Sequence, residues 1–114
     1  MKKISDNLPY QSLKIISDRL NLTKDQVARL LHVDERQARG WILRKANPQM
    51  YYRTLIANME YCVELLYSAM DYEMDLALGF LTHTNEALPF DIKPISLLWA
   101  HEFDAFEKLL LTTK

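Results

Sequence analysis

The sequence predicts an all-α fold, and three observations carry that prediction. Only two glycines and four prolines punctuate 114 residues, so long stretches run without a helix breaker. Apolar residues recur three and four apart, the period of a helix face. Thr23 and Asp34, both good N-cap types, stand directly ahead of two such stretches.

Each element follows from local signals. Pro9 suits a first helical turn, and Leu13, Ile16 and Leu20 continue one face, which predicts a helix from about Pro9 to Leu20. Asn21-Leu22-Thr23 is a short connection, with Thr23 capping a helix from Lys24 to Leu31. His32-Val33-Asp34 is a second tight connection. Asp34 then caps a helix from about Glu35 to Lys45, which Asn47-Pro48 ends. From Gln49 to about Leu81 the pattern reads as one long helix or two joined ones. Leu55, Met59, Cys62, Leu66, Ala69, Leu76 and Phe80 form one apolar stripe, interrupted at Glu73. Ile56, Val63, Met70 and Ala77 make a second apolar face, so this segment buries more than a narrow seam. Thr82 to Pro94 reads as a loop, with room for a short extended piece at Leu88-Pro89-Phe90. A last helix, about Ile95 to Leu111, carries Ile95, Leu98, Trp99, Phe103, Phe106 and Leu110 on one side. No internal repeat is visible.

Composition narrows the function classes. With 49% hydrophobic and 25% charged residues, the chain fits one compact domain, or a small module with an appended dimerisation element. Charges interrupt every apolar stretch, so none approaches a membrane span. Met1 to Asp6 lacks the apolar run of a secretion signal, and the single cysteine, Cys62, cannot close an internal disulfide. These features predict a cytoplasmic protein. Two glycines leave no material for a phosphate-cradling loop. His32, His83 and His101 lack metal-ligand spacing, and His101-Glu102 has no partner placed by sequence. Cys62 lies within the apolar stripe, where a buried thiol is the default. No catalytic residue, metal site or cofactor is therefore expected.

The formal net charge of −1 conceals an asymmetry. Through Arg53 there are eleven bases against five acids, a net of +6; beyond it there are three bases against ten acids, a net of −7. A basic half joined to an acidic half points to nucleic acid at one end and a different partner at the other, though faces of opposite sign can also be mere solvated surface.

The stretch Thr23 to Trp41 is the most informative. A helix-turn-helix needs two short helices crossing steeply, with a small residue inside the first and an apolar residue in the turn. The second helix must also present an apolar inner face. Ala28 is the small residue, Val33 fills the turn, and Ala38, Trp41 and Ile42 supply the inner face. In this pattern, Thr-Lys-Asp-Gln-Val-Ala-Arg-Leu-Leu-His-Val-Asp-Glu-Arg-Gln-Ala-Arg-Gly-Trp, the segment resembles the helix-turn-helix of the Cro/repressor superfamily of transcriptional regulators. It departs from that family at His32, where glycine is usual. Trp41 followed by Pro48 is similar to small prophage regulators, including anti-CRISPR-associated repressors.

The resemblance implies roles for particular residues. Glu35, Arg36, Gln37 and Arg39 would face the major groove from the start of the third helix. Arginine pairs bidentately with guanine, while Glu35 would accept from a cytosine amino group or orient Arg39. Gln37 would reach an adenine or a phosphate. Thr23 and Lys24 at the N-terminus of the first helix of the motif, with Arg44 and Lys45 beyond the recognition helix, would hold the DNA backbone. Arg36 and Arg39 can alternatively be plain solvent-facing charges, and Lys2 and Lys3 a basic arm or a solubilising terminus. Gly40 in mid-helix signals either a close approach or a tolerated weak spot.

These readings divide the chain into a helix-turn-helix region, 1–50, and a helical dimerisation or partner-binding region, 51–114. Tyrosines and methionines between Tyr51 and Leu81 suit a homodimer on a palindromic double-stranded operator. The leading expectation is a sequence-specific DNA-binding regulator that represses its own operon. In the C-terminal third, Leu78-Gly-Phe-Leu-Thr-His-Thr-Asn85, Lys93-Pro-Ile-Ser-Leu-Leu98, Phe103 and Phe106 are loosely similar to antitoxins of the Xre–MbcA–ParS kind, without the glycine-rich parts of that pattern. That likeness implies an acidic half that binds a basic toxin. A third class, a small protein-binding inhibitor without DNA binding, needs no role for the basic half.

Overall fold

A computed structural model describes residues 5–112, and every regular element among them is an α-helix: α1 Pro9–Leu20, α2 Lys24–Leu30, α3 Glu35–Ile42, α4 Met50–Ala69, α5 Met74–Thr82, α6 Ile95–Trp99 and α7 Phe103–Thr112. The fold is all-α. Lys2 and Lys3 lie outside the described residues. No described helix is long and apolar enough to cross a membrane.

The chain forms two compact units that divide between Tyr61 and Cys62, inside α4. The division expected after residue 50 follows Pro48, a local signal, whereas Leu55 to Glu60 are buried and belong to the first unit. Glu60 therefore moves to the basic side, and the two units carry +5 and −6.

In the first unit α1, α2 and α3 pack on one another around Leu13, Ile16, Leu20, Val27, Ala28, Leu30, Leu31, Ala38 and Trp41. Local chemistry starts each helix. Pro9 occupies the first turn of α1, and the Gln11 side chain accepts from the Leu8 N–H at 2.8 Å. Thr23 and Gln26 form a reciprocal capping box on α2, at 3.2 and 2.8 Å. Asp34 accepts from the Arg36 N–H at 2.8 Å to cap α3. α1 ends at Leu20 as expected, whereas α3 is shorter than expected. α3 stops at Ile42, three residues before Lys45, because Arg44 turns left-handed at φ 60°. Asn21 at φ 55° and His32 at φ 60° follow α1 and α2 in the same conformation. His32 thus adopts the turn geometry for which glycine is usual, and the Val33 N–H closes the turn onto the Ala28 carbonyl at 3.0 Å.

The second unit comprises the end of α4 with α5, α6 and α7, around Val63, Leu66, Ala77, Leu81, Leu98, Phe106 and Leu110. Two joined helices, not one, occupy the stretch before Leu81. Asp71 and Tyr72, at φ 54° and 58°, break it just ahead of Glu73. The final helix is also two, because His101 turns left-handed at φ 58° and the Glu102 N–H returns to the Leu97 carbonyl. Leu88-Pro89-Phe90 is a turn rather than an extended piece, with Phe90 and Asp91 both left-handed and the Ile92 N–H bonded to the Pro89 carbonyl. Cys62 is buried, as its apolar stripe predicts, with its thiol 3.9 Å from the Phe103 carbonyl.

Candidate nucleic-acid interface

The helix-turn-helix core assembles from the residues singled out for it. Ala28, Ala38 and Trp41 are buried, while Val33 and Ile42 are half-buried. Trp41 meets Tyr52 of α4 with ring centroids 5.3 Å apart, a tilted aromatic pair inside the first unit. This packing turns the opposite face of α3 outward. Glu35, Arg36, Gln37 and Arg39 are all exposed, with Arg36 and Arg39 one turn apart on the same face.

Arg39 has a defined partner. Its Nη2 donates to both carboxylate oxygens of Asp25 in α2, at 3.0 and 3.1 Å. Glu35, an alternative partner by its spacing on α3, does not fill that role. Asp25 lies across the turn of the motif, on the helix that packs against α3. Thr23 and Lys24 stand beside Asp25 at the start of α2, both exposed. The Thr23 hydroxyl accepts from Gln26 and retains its own proton to donate.

Arg44 and Lys45 follow α3 and are exposed. The Arg44 guanidinium lies 3.8 Å from the centroid of the Tyr10 ring, so α1 holds it by a cation–π contact. Arg44 and Arg53 both line a hollow of about 150 Å³ with Tyr10, Trp41 and Asn47. The motif thus gathers Thr23, Lys24, Glu35, Arg36, Gln37 and Arg39 on the α2 and α3 starts, with Arg44 and Lys45 beyond them. Gly40 needs no close approach for its own fold. A Cβ there would meet only Ala46 Cβ, at an ordinary 3.7 Å.

Sequence reasoning missed three contributors. Asp25 and Tyr10 act through tertiary contacts, although the helix-turn-helix spacing is a signal that could have paired Asp25 with Arg39. Glu60 is one of the ten acids beyond Arg53 and has no local signal of burial. It is 6% exposed, and its carboxylate accepts from Ser5 Oγ at 2.5 Å, Asn7 Nδ2 at 2.5 Å and Ser12 Oγ at 2.7 Å. A second groove of about 380 Å³ lies beside this cluster, lined also by Arg53 and Thr54. His83 and His101 serve local roles: the His83 ring bonds the Gly79 carbonyl at 2.7 Å, and His101 stacks on Phe103. Among the described residues no three His, Cys, Asp or Glu side chains converge as a metal site.

No family model and no curated protein matches the chain. Among solved structures, it is similar to a chain in the crystal structure of the M. tuberculosis MbcT-MbcA toxin-antitoxin complex, with a TM-score of 0.68 at 20% sequence identity. The likeness covers 91% of this chain and 91% of that one, and at this identity what the two share is the fold.

Proposed function

We propose that the chain is the antitoxin-type member of a toxin–antitoxin pair, with a protein-binding second unit and a DNA-binding first unit. The observation that carries this reading is the fold shared, over 91% of both chains, with a component of a toxin-antitoxin complex. Surface chemistry of the second unit supports it. Asp71-Tyr72-Glu73-Met74-Asp75-Leu76 are six consecutive exposed residues in which acid and apolar side chains alternate. Phe90 adds a ring 94% exposed. Such a surface suits a partner whose contact face interleaves cationic and apolar groups.

The test is a growth assay. Products of the genes flanking this one are induced singly, with and without the chain. The proposal expects one of them to arrest growth alone and to be neutralised by co-expression. Flanking products that are harmless, or toxicity the chain leaves untouched, would sink it.

A second reading is favoured by the exposed starts of α2 and α3: a homodimeric repressor of its own operon with no toxin. Leu55, Ile56, Met59 and Leu66 are buried within a single chain, so a dimer would use other groups, such as exposed Met50 and Tyr51. Selection of genomic DNA fragments by the wild type and by an Arg36→Ala/Arg39→Ala variant tests it. The repressor reading expects a palindromic fragment enriched by the wild type alone; the same enrichment by both proteins would remove the recognition role of α3.

A further inference from the structure

We infer that Asp25 is a specificity-determining positioning residue, which holds Arg39 in the conformation that reads one base and keeps it off the phosphates. The inference rests on the DNA-binding reading of the first unit.

An unrestrained arginine on a recognition helix has two competing anions within reach, the base edge and the phosphate backbone. Phosphate contacts raise affinity for every sequence; only base contacts discriminate. Asp25 alters that competition. Both of its oxygens accept from the single Nη2 atom of Arg39, so Nη1 and Nε, which face different sides of the guanidinium, keep hydrogens for single bonds to a base. Fixing a flexible side chain beforehand reduces the ordering entropy of the contact. The Asp25 carboxylate is itself anionic and repels phosphates, so the pair is unfavourable for nonspecific binding.

Stability does not account for the pair. The side chains are 56% and 36% exposed, and exposed ion pairs of this kind contribute little to folding. Arg36, one turn earlier on the same face, has its backbone N–H capped by Asp34. Of the two, Arg39 is the one whose guanidinium is tied across the motif corner.

The experiment compares wild type, Asp25→Asn and Arg39→Lys by selection from a randomised duplex library, followed by titration of the best and a scrambled duplex over a range of salt. The expected result is a strong base preference at one pair for the wild type. Asp25→Asn should lose about tenfold of that preference, at the low end of what one arginine–base contact discriminates. Its scrambled-duplex affinity should hold or rise, with a salt slope steeper by about 0.9 as Arg39 reaches a phosphate. Arg39→Lys keeps the charge but replaces the planar guanidinium, which can bond Asp25 and a base at once from separate nitrogens, so it should lose the same base preference. Should Asp25→Asn fail to fold, Arg39→Lys and Asp25→Glu carry the same comparison. An unchanged base profile in the variants overturns the inference and leaves DNA binding standing. An equal fall on both duplexes also overturns it, since that is the mark of a merely structural role. A wild type that selects no sequence overturns the DNA reading itself, and the inference with it.

Discussion

Ser12 of α1 donates a 2.7 Å hydrogen bond to the buried carboxylate of Glu60 in α4, across forty-eight residues of sequence. With Ser5 and Asn7 on the same carboxylate, a charge removed from water is compensated by three neutral donors. Glu60→Ala leaves the buried Ser12 hydroxyl without this acceptor and is expected to destabilise the protein by about 2–3 kcal/mol. Ser12→Ala, which leaves two donors in place, should cost about 1 kcal/mol. Urea denaturation of both variants and the double variant checks this, with a non-additive double variant expected.

Gly40→Ala is expected to stabilise the free protein by about 1 kcal/mol, since the site is helical and the new methyl meets only Ala46 Cβ at 3.7 Å. A raised thermal midpoint is the measurement. A lowered one would mean that α3 has less room than its geometry indicates.

The starts of α1, α2 and α3 were legible in the sequence, and so was the end of α1 at Leu20, but the ends of α3 and α6 were not. Thr23, Asp34 and Pro9 act through their own side chains on the next turn, so their chemistry can be read locally. The ends at Leu30, Ile42 and Trp99 are made by left-handed His32, Arg44 and His101, residue types that carry no strong stop signal. That is why α3 ran too long on paper and α6 and α7 read as one helix. The site shows the same division. Exposure of Glu35, Arg36 and Gln37 follows from the helical period, whereas Asp25 on Arg39 and Tyr10 under Arg44 exist only once the helices pack. Burial of Glu60 has no local signal because its donors Ser5, Asn7 and Ser12 lie far away in sequence.

Arg44→Gly sets two effects against each other. It relieves a left-handed non-glycine residue, worth about 1 kcal/mol, and loses a cation–π contact worth about 0.5–1 kcal/mol. Stability is therefore expected to stay within about 0.5 kcal/mol of wild type. If Arg44 holds a phosphate as proposed, affinity for all duplexes falls and the salt slope becomes shallower by about 0.9. Titration at several salt concentrations reads both quantities.

Phe90 is unfavourable for folding twice over, being left-handed at φ 57° and 94% exposed. Phe90→Gly is expected to keep or raise stability, by up to about 1 kcal/mol, and to weaken capture of a protein partner. Calorimetry of the free chain and pull-down with the partner separate the two. Loss of stability with capture intact would assign Phe90 to the fold.

Co-purification of the tagged chain with the products of its flanking genes tests the antitoxin-type reading. That reading predicts that one product is retained through a high-salt wash by the wild type, and to the same extent by Arg36→Ala/Arg39→Ala, whose changes lie in the first unit. Retention of no flanking product by the wild type would contradict it.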